Sequence, residues 1–304
     1  MISRVTCRPG ERIPVDFEIH SGYMASRRPI VLTIAGFDPS SGAGVTADIK
    51  TIAAHGCYGV SCITALTVQS TAGVRRVEPI SPELVTETLE ELASDVPIAA
   101  IHIGMLATGG GVRAVAEFLE RQTAKNVVLD PVLRSSSGAD LLDEEGARLL
   151  REKLIPLATV VTPNLGEASA LTGLAVHNLE QMRAAAYKLH ELGSRAVVIT
   201  GGDLEQAMDL LSFTSGQGID QEVFKSARLE SNSTHGTGCA FASSLACHLA
   251  LGRGLPEGVL LAKTYVAASI SHAHPVGRGT GPIHHLYRIE ASRRESLRDP
   301  EEAR

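Results

Sequence analysis

Residues 234–239 contain two glycines and a cysteine and lead directly into a segment of small residues. Gly236 and Gly238 allow the backbone to turn tightly and to approach a ligand closely. If a helix begins near Thr237, its first N–H groups and the positive end of its dipole favour an anion such as phosphate. Cys239 then lies in the first turn, where a thiolate is stabilised. An anion site beside a nucleophile or base is typical of phosphoryl transfer, whereas the simpler interpretation is a glycine turn before an ordinary helix.

Other polar residues follow short apolar segments further along the chain. Asp130, Asn164 and Thr200 each come directly after, or shortly after, such a segment, and Glu167 lies three residues beyond Asn164. Carboxylate oxygens suit Mg²⁺, which keeps several of its waters, so Asp130 and Glu167 are candidate ligands. Glu167 could instead be a first-turn carboxylate that stabilises its own helix. Thr200 and the two glycines after it could contact a phosphate.

Three further residues are candidates for binding the two substrates of such a reaction. Asp48 follows a glycine-rich loop on the first predicted helix, and Gln69 ends a mostly apolar segment. A buried amide needs a partner with matched donors and acceptors, which a heteroaromatic ring with an amino group supplies. Gln69 could equally pair with loop backbone. Lys263, on the last long predicted helix, could reach a nucleotide or remain a solvated lysine.

Apolar segments alternate with amphipathic ones, which predicts strands and helices in turn. Strands are predicted at 30–35, 60–68, 98–103, 127–129, 159–161 and 196–200, and a hairpin at 208–213 and 222–229. Helices are predicted from the glycine loop to 55 and at 82–94, 112–121, 143–153, 179–192, 239–251 and 256–273, with Ser81 as an N-cap. This order predicts a mostly parallel sheet with helices on both faces and ligands at the carboxyl ends of the strands. Five polar or sulfur-containing residues lie at those ends: Asp38, Met105, Asp130, Asn164 and Thr200.

The composition indicates a well-packed protein of 304 residues, with 44% hydrophobic and 20% charged residues. A net charge of −6 argues against a broad nucleic-acid surface. The five cysteines lack paired spacing, which favours a cytoplasmic location, and no apolar run reaches the ~18 residues that a membrane helix needs. We expect a polar extension at 1–29, a single domain at 30–288 and a charged tail at 289–304.

Several patterns that would indicate another function are absent or misplaced. Residues 42–47 match G-x-G-x-x-A, but six loop residues separate them from the preceding strand, which argues against a dinucleotide site. The sequence has neither the P-loop motif nor G-x-S-x-G. Four histidines lie close together near the C-terminus and are interpreted as surface or packing residues rather than metal ligands: His272, His274, His284 and His285.

A series of short motifs occurs in one order across residues 29–287. They are LTIAGFDPSSGAG (32–44), ADIKT (47–51), ITALTVQ (63–69), IGML (103–106), VLDPV (128–132), TPNLGEA (162–168), THGTGC (234–239) and GPIHH (281–285). Together they resemble the phosphomethylpyrimidine, or hydroxymethylpyrimidine, kinases of the ribokinase-like superfamily. The resemblance implies a three-layer α/β/α fold, ATP and Mg²⁺ as cofactors, small-molecule substrates and a homodimer, with no nucleic-acid or membrane partner.

The resemblance also implies two reactions and a set of site residues. ATP phosphorylates the alcohol of 4-amino-5-hydroxymethyl-2-methylpyrimidine, and a second ATP converts the monophosphate to the diphosphate. The pyrimidine positions are Gly36, Asp48, Thr67, Gln69 and Met105. The anion hole is Gly236, Thr237 and Gly238, and Cys239 stands where most sugar kinases of the superfamily have an aspartate base. The Mg-ATP positions are Asp130, Asn164, Glu167, Thr200 and Lys263.

Some alternatives stay open at this point. A pyridoxal kinase of the same superfamily acts on a similar hydroxymethyl heterocycle, although Gln69 favours the pyrimidine. A metabolite sensor without activity would be expected to lack Cys239, Asp130 or Glu167, and all three are present. Many members of the family carry a lysine after the strand that precedes Asp130, where this chain has Arg134 as a candidate phosphate contact.

Overall fold

The structure is a computed structural model that describes residues 28–122, 125–135, 138–202 and 204–289. All strands of this part of the chain belong to one nine-stranded sheet, in the order β3-β2-β1-β4-β5-β6-β7-β8-β9. The predicted extension at 1–29, apart from its last two residues, and the predicted tail, apart from residue 289, lie outside the described residues.

The strands form a parallel centre with antiparallel edges. They are β1 (Ile30–Phe37), β2 (Tyr58–Ser70), β3 (Gly73–Pro79), β4 (Ile98–Ile103), β5 (Val127–Leu129), β6 (Val160–Val161), β7 (Ala196–Gly201), β8 (Met208–Ser215) and β9 (Gly218–Lys225). β2, β1, β4, β5, β6 and β7 pair in parallel, so their carboxyl ends meet at one edge. β3 pairs antiparallel with β2, and β8 and β9 continue antiparallel from β7.

The helices cover both faces of the sheet. They are α1 (Gly44–Ala54), α2 (Pro82–Asp95), α3 (Gly109–Arg121), α4 (Glu144–Leu149), α5 (Ile155–Leu157), α6 (Leu165–Thr172), α7 (Leu179–Glu191), α8 (Thr237–Ala250) and α9 (Leu255–Ser271), with a π-helical turn at Leu150–Leu154 between α4 and α5. Caps predictable from the sequence set several starts, since the Ser81 hydroxyl accepts the Leu84 N–H at α2. Asn164 and Glu167 form a reciprocal capping box at α6.

Alternate residues of the central strands supply two separate cores. Leu32 and Ile34 of β1 pack with helices α2, α3 and α7, whereas Val31 faces the core of α8 and α9. This alternation follows from the two-residue period of a strand. Because both faces of the sheet pack against an apolar core, the central strands are mostly apolar along their whole length. The predicted three-layer α/β/α fold with a mostly parallel sheet is therefore confirmed.

Two elements were missing from the sequence prediction. β3 carries charged residues in Gly73–Pro79 and its side chains are half-buried or exposed, so no apolar pattern marks it. Pairing with β2 is what makes it a strand. The short helix α6, which three residues separate from the end of β6, was not among the predicted elements, although Glu167 was considered as a first-turn carboxylate of its own helix. None of the described helices is long and apolar enough to cross a membrane.

The contact between α1 and α8 should weaken in acid because of His55. Its Nδ1 donates to the Thr51 carbonyl at 2.8 Å, and its Nε2 accepts from the Ser244 hydroxyl at 2.9 Å. Burial, together with the charges of His248 and Arg288, lowers the pKa of His55 from 6.5 to about 4, only partly offset by the Thr51 contact. Between these two values His55 is protonated in the unfolded chain but not in the folded chain, so the free energy of unfolding falls as the pH drops from 6.5 towards 4.

We therefore expect the free energy of unfolding to fall by roughly 2 kcal/mol between pH 7 and 4.5 through His55 alone. His55→Gln, which cannot titrate, should show a correspondingly smaller loss, although it is less stable than the wild type at pH 7. Urea unfolding of both proteins at the two pH values measures this. An equal pH dependence in both would contradict the assignment.

Candidate functional site

The start of α8 is an exposed set of N–H groups at the carboxyl edge of the sheet. Gly236 is its N-cap residue with φ 82°, and no described side chain caps the helix. A Cβ on Gly236 would collide with the carbonyl oxygen of Gly42, so the two loops approach closely and only glycine fits. The Thr237 N–H donates to the Thr234 carbonyl at 3.4 Å, and no described side chain caps the first turn. The anion site predicted at Gly236, Thr237 and Gly238 stays a prediction, and the start of this helix suits it.

Cys239 lies in the first turn of α8 and is partly exposed. Burial of its thiol raises the pKa well above the ordinary value, and the nearby carboxylates of Asp48 and Asp130 add to the shift, while the Gly44 backbone opposes it. The stabilisation of a thiolate that is expected from the helix start is therefore opposed in this structure. Burial is the largest cause, and the charges of Asp48, Asp130 and Asp38 add to it.

Two buried carboxylates, those of Asp130 and Glu167, lie next to this helix start. The position of a Cβ on Gly238 is 3.6 Å from Asp130 Oδ2, which places the Asp130 carboxylate beside the anion site. Burial raises the pKa of Asp130 to about 6, with His102 opposing the shift. Burial and the charge of Asp130 raise the pKa of Glu167 well above its usual range, although the Asn164 N–H donates to Glu167 at 2.9 Å.

These two carboxylates fit a divalent cation. The contacts that these two carboxylates receive, including the Asn164 N–H on Glu167, do not offset burial, so both pKa values are raised, and a cation would stabilise the ionised forms. Among the described residues no group of three or more His, Cys, Asp or Glu could hold a metal on its own. A site with only two protein carboxylates suits Mg²⁺, which completes its shell with water and substrate phosphates.

The residues predicted on the nucleotide side lie together at the ends of β6 and β7. Asn164 and Thr200 form a parallel bridge, and the Thr200 N–H donates to the Pro163 carbonyl at 2.9 Å. The Lys263 ammonium binds Asp209 at 2.8 Å, and Asp209 also accepts the Gly201 N–H. Asp209 is the strand partner of Thr200, so Lys263 lies near the end of β7, and its charge is engaged in a largely buried ion pair.

The predicted acceptor residues surround the ends of β1 and β2. A Cβ on Gly36 would lie 2.8 Å from Met105 Sδ, so these two positions are in contact. The Thr67 hydroxyl lies 2.9 Å from the Phe37 carbonyl oxygen and 3.2 Å from Gln69 Oε1. Gly36, Thr67, Gln69 and Met105 are thus brought together.

Asp48 is placed differently from the other predicted acceptor residues. Its side chain is fully buried, and its two oxygens accept hydrogen bonds from Thr33 at 2.6 Å and Ser243 at 2.7 Å. His102 Nδ1 lies 3.3 Å from Asp48, and burial, which lowers the pKa of His102, is outweighed by the charge of Asp48, so the net shift is upward. In this structure Asp48 joins β1, β4 and α8 and does not reach the cleft.

Two residues that the sequence reasoning left without a role connect the two halves of the site. His235 Nε2 lies 2.8 Å from Asp38 Oδ2 and 3.3 Å from Gln69 Nε2. Asp38 was recognised only as a residue at a strand end, and His235 only as part of a glycine motif. Their separation of nearly two hundred residues hides the pair in the sequence.

The remaining histidines and Arg134 make contacts of other kinds. His272 stacks on Tyr287 with ring centroids 5.1 Å apart, and His274 meets His284 edge to face at 5.7 Å. No metal group forms there among the described residues. Arg134 pairs with Asp140 at 2.7 Å in an exposed ion pair.

Gly236→Ala should damage the anion site more than the fold. The new Cβ must push Gly42 away, and a left-handed φ in a non-glycine residue costs about 1–3 kcal/mol. We expect affinity for a phosphate-bearing nucleotide to fall at least about tenfold by calorimetry, with a smaller effect on the thermal midpoint. Gly216→Ala, where a Cβ meets nothing within 4 Å, is the matched control and should leave both unchanged. Unaltered nucleotide affinity in Gly236→Ala would argue against this anion site.

Comparisons with known proteins agree with this arrangement. The sequence pattern of the phosphomethylpyrimidine kinase family matches residues 38–284. A thiamine biosynthesis bifunctional protein of Geobacter sulfurreducens is 42% identical over 265 residues, which are 86% of this chain and 53% of that protein. The chain thus spans about half the length of that relative. A hydroxymethylpyrimidine/phosphomethylpyrimidine kinase of Rhizobium meliloti is 41% identical over 264 residues, 85% of this chain and 97% of that protein.

A solved structure shares the fold closely. The ADP complex of Bacillus subtilis pyridoxal kinase superposes with a TM-score of 0.78 at 34% sequence identity, covering 86% of this chain and 99% of that one. The match at residues 38–284 spans the strand ends, the paired carboxylates and the start of α8. The chain belongs to the phosphomethylpyrimidine kinase family.

Proposed function

We propose that this protein uses ATP to phosphorylate 4-amino-5-hydroxymethyl-2-methylpyrimidine and then its monophosphate, for thiamine biosynthesis. The observation that carries the proposal is the uncapped start of α8 between two buried carboxylates and the acceptor residues at β1 and β2. Relatives over 40% identical that bear this activity, or thiamine biosynthesis, in their names support it.

The acceptor alcohol binds between Gly36, Met105 and Gln69 in this proposal. The Met105 side chain packs directly against Gly36, where a Cβ would lie 2.8 Å from the sulfur, so the two residues form one wall against which a flat ring packs in this proposal. Gln69 offers both an acceptor and donors to a ring with an amino group. The hydroxymethyl group then points towards the start of α8, where the phosphoryl group is transferred.

ATP binds with Mg²⁺ on the other side of the α8 start. Asp130 and Glu167 hold the ion, which neutralises phosphate charge when bound. Asn164 and Thr200 line the nucleotide side, and Lys263 supports it through Asp209. The N–H groups of residues 236–239 stabilise the charge on the transferring phosphoryl oxygens.

Cys239 assists the first reaction by accepting a hydrogen bond from the alcohol. A thiol with a raised pKa is a poor resting base. Because the phosphoryl-transfer transition state is loose, the alcohol proton leaves late and the requirement for a strong base is small. In the second reaction the acceptor is already a phosphate, so Cys239 contributes less.

Pyridoxal is the second candidate acceptor. The observation that favours it is the close superposition on a pyridoxal kinase. Its hydroxymethyl group would meet the same transfer site, but its ring has no amino group next to a ring nitrogen. Gln69 therefore favours the pyrimidine.

Two further features belong to the proposal. The protein works in the cytoplasm, which fits the four described cysteines, all of them free thiols. It forms a homodimer through the outer face of β2, where Leu66 and Val68 are 45% and 46% exposed. Apolar residues at consecutive outward positions of an edge region suit a partner surface.

The order of products tests the function directly. Incubation of the protein with Mg-ATP and the aminopyrimidine alcohol should give the monophosphate first and the diphosphate later, as resolved by mass spectrometry. Diphosphate formed only from supplied monophosphate would restrict the enzyme to the second step. Turnover of pyridoxal with no pyrimidine product would make pyridoxal the acceptor instead.

Substitution of Cys239 should separate the two steps. Cys239→Ala removes the hydrogen-bond acceptor, so we expect the first step to slow by roughly 10–100-fold and the second by less than about threefold. Cys239→Ser keeps a hydrogen-bond acceptor and should retain more of the first step than Cys239→Ala. Equal losses in both steps, or a first step as slow in Cys239→Ser as in Cys239→Ala, would rule out the assigned role.

A further inference from the structure

The Asp38 carboxylate collects hydrogen bonds from two loops. It accepts from the Ser40 N–H at 2.8 Å, the Ser40 hydroxyl at 2.7 Å, the Gly42 N–H at 3.2 Å and the Ala43 N–H at 2.9 Å. His235, from the loop before α8, is its fifth partner at 2.8 Å. All five partners of this carboxylate can act as donors, so none of the contacts requires the carboxyl group to carry a proton.

These contacts fix the proton on His235 Nε2. Burial of Asp38 raises its pKa, but the hydrogen bonds from His235, Ser40 and Ala43 outweigh burial and hold the pKa below its ordinary value. The carboxylate is ionised and can only accept. The nitrogen 2.8 Å away must therefore carry the proton, and His235 Nε2 acts as a donor.

Gln69 next to this pair has two mismatched contacts. Its Nε2, which carries two protons, lies 3.3 Å from His235 Nε2, so two donors face each other. Its Oε1 lies 3.2 Å from the Thr67 hydroxyl, whose single proton is already directed to the Phe37 carbonyl at 2.9 Å. If the amide turns by half a rotation about its last single bond, Nε2 donates to the Thr67 oxygen, and Oε1 faces the His235 N–H, whose proton is then shared between Asp38 and Oε1 in a three-centre bond.

We propose that His235 is a positioning residue that, held by Asp38, selects the turned orientation of the Gln69 amide and so makes the site specific for heteroaromatic alcohols with an amino group beside a ring nitrogen. This inference rests on the proposed function, since it concerns the acceptor of that reaction. It assigns His235 and Thr67 to acceptor recognition through Gln69, without contact between His235 and the reacting atoms.

The turned amide has a defined set of groups left for a ligand. Oε1 accepts the His235 proton that is shared with Asp38 and retains a second lone pair, and Nε2 donates one proton to Thr67 and retains the other. An acceptor and a donor side by side match an amino group next to a ring nitrogen. In the opposite orientation, the amide would present its N–H group to the amino group of the ligand, which leaves both donors unpaired and costs affinity.

The test uses His235→Leu and His235→Gln with two acceptors, the aminopyrimidine alcohol and the same compound without its amino group. His235→Leu removes the donor, so we expect KM for the amino compound to rise at least about tenfold at nearly unchanged kcat. KM for the compound without the amino group, and KM for ATP, should change by less than about twofold. His235→Gln keeps an N–H at a similar distance and should restore most of the affinity.

A double-mutant cycle with Gln69→Ala separates this role from a merely structural one. If His235 acts through Gln69, His235→Leu should add little to the KM for the amino compound in the Gln69→Ala background. If His235 only holds two loops together, the loss will be equal in both backgrounds and for both acceptors, and the inference is overturned. Failure of His235→Gln to restore selectivity also overturns it.

Thr67→Val tests the contact between Thr67 and Gln69 Nε2. It replaces the His235 variant as the test if His235→Leu does not fold. It removes the oxygen that accepts from Gln69 Nε2 while keeping the side-chain shape, and it should raise KM for the amino compound selectively. An unselective effect would count against the turned amide.

The wild type is measured first. If it forms no product from either pyrimidine, both the proposed function and this inference are overturned. Wild-type turnover with unselective variants would overturn the inference alone.

Discussion

The structure depends on bringing buried carboxylates together behind the first turn of α8. Like charges in a poorly solvated region repel strongly, and the carboxylates differ in the contacts that they receive. Asp38 accepts five hydrogen bonds, which hold its pKa below the ordinary value, and Asp48 accepts from Thr33 and Ser243 and lies 3.3 Å from His102. Glu167 accepts the Asn164 N–H, yet burial still raises the pKa values of Asp130 and Glu167. The pair with raised pKa values is the one that suits a cation.

The same loops that bring these charges together also join recognition to transfer. Gly236 packs on the Gly42 carbonyl so closely that no side chain fits, and Asp38 binds both loops through its five contacts. Gln69 touches His235, the residue before that glycine. A displacement of the acceptor loop would therefore move the start of α8 as well. Binding of the ring and orientation of the N–H groups around the phosphoryl group are parts of one packed unit.

Much of the fold could be predicted because its signals are local. The segment that became β4 is apolar except for His102 and lies between Pro97 and Gly104, and its predicted limits agree with the structure. Ser81 and its neighbours mark the start of α2. β3 could not be predicted, since its charged residues become a strand only by pairing with β2. Cys239 shows the limit for the site: a helix start favours a thiolate, but burial, together with carboxylates from distant segments, raises the pKa of the thiol.

The sequence by itself determined the alternation of strands and helices, the edge at which polar residues gather, and the glycines that permit a close backbone approach. These follow from periodicity and conformational freedom, which each residue carries wherever it lies. The tertiary structure alone decided that Asp48 is buried rather than in the cleft, that Lys263 is bound to Asp209, and that His235 donates to Asp38 beside Gln69. Protonation and hydrogen-bond direction depend on distances and on solvent exclusion between segments far apart in the chain, and these exist only after folding.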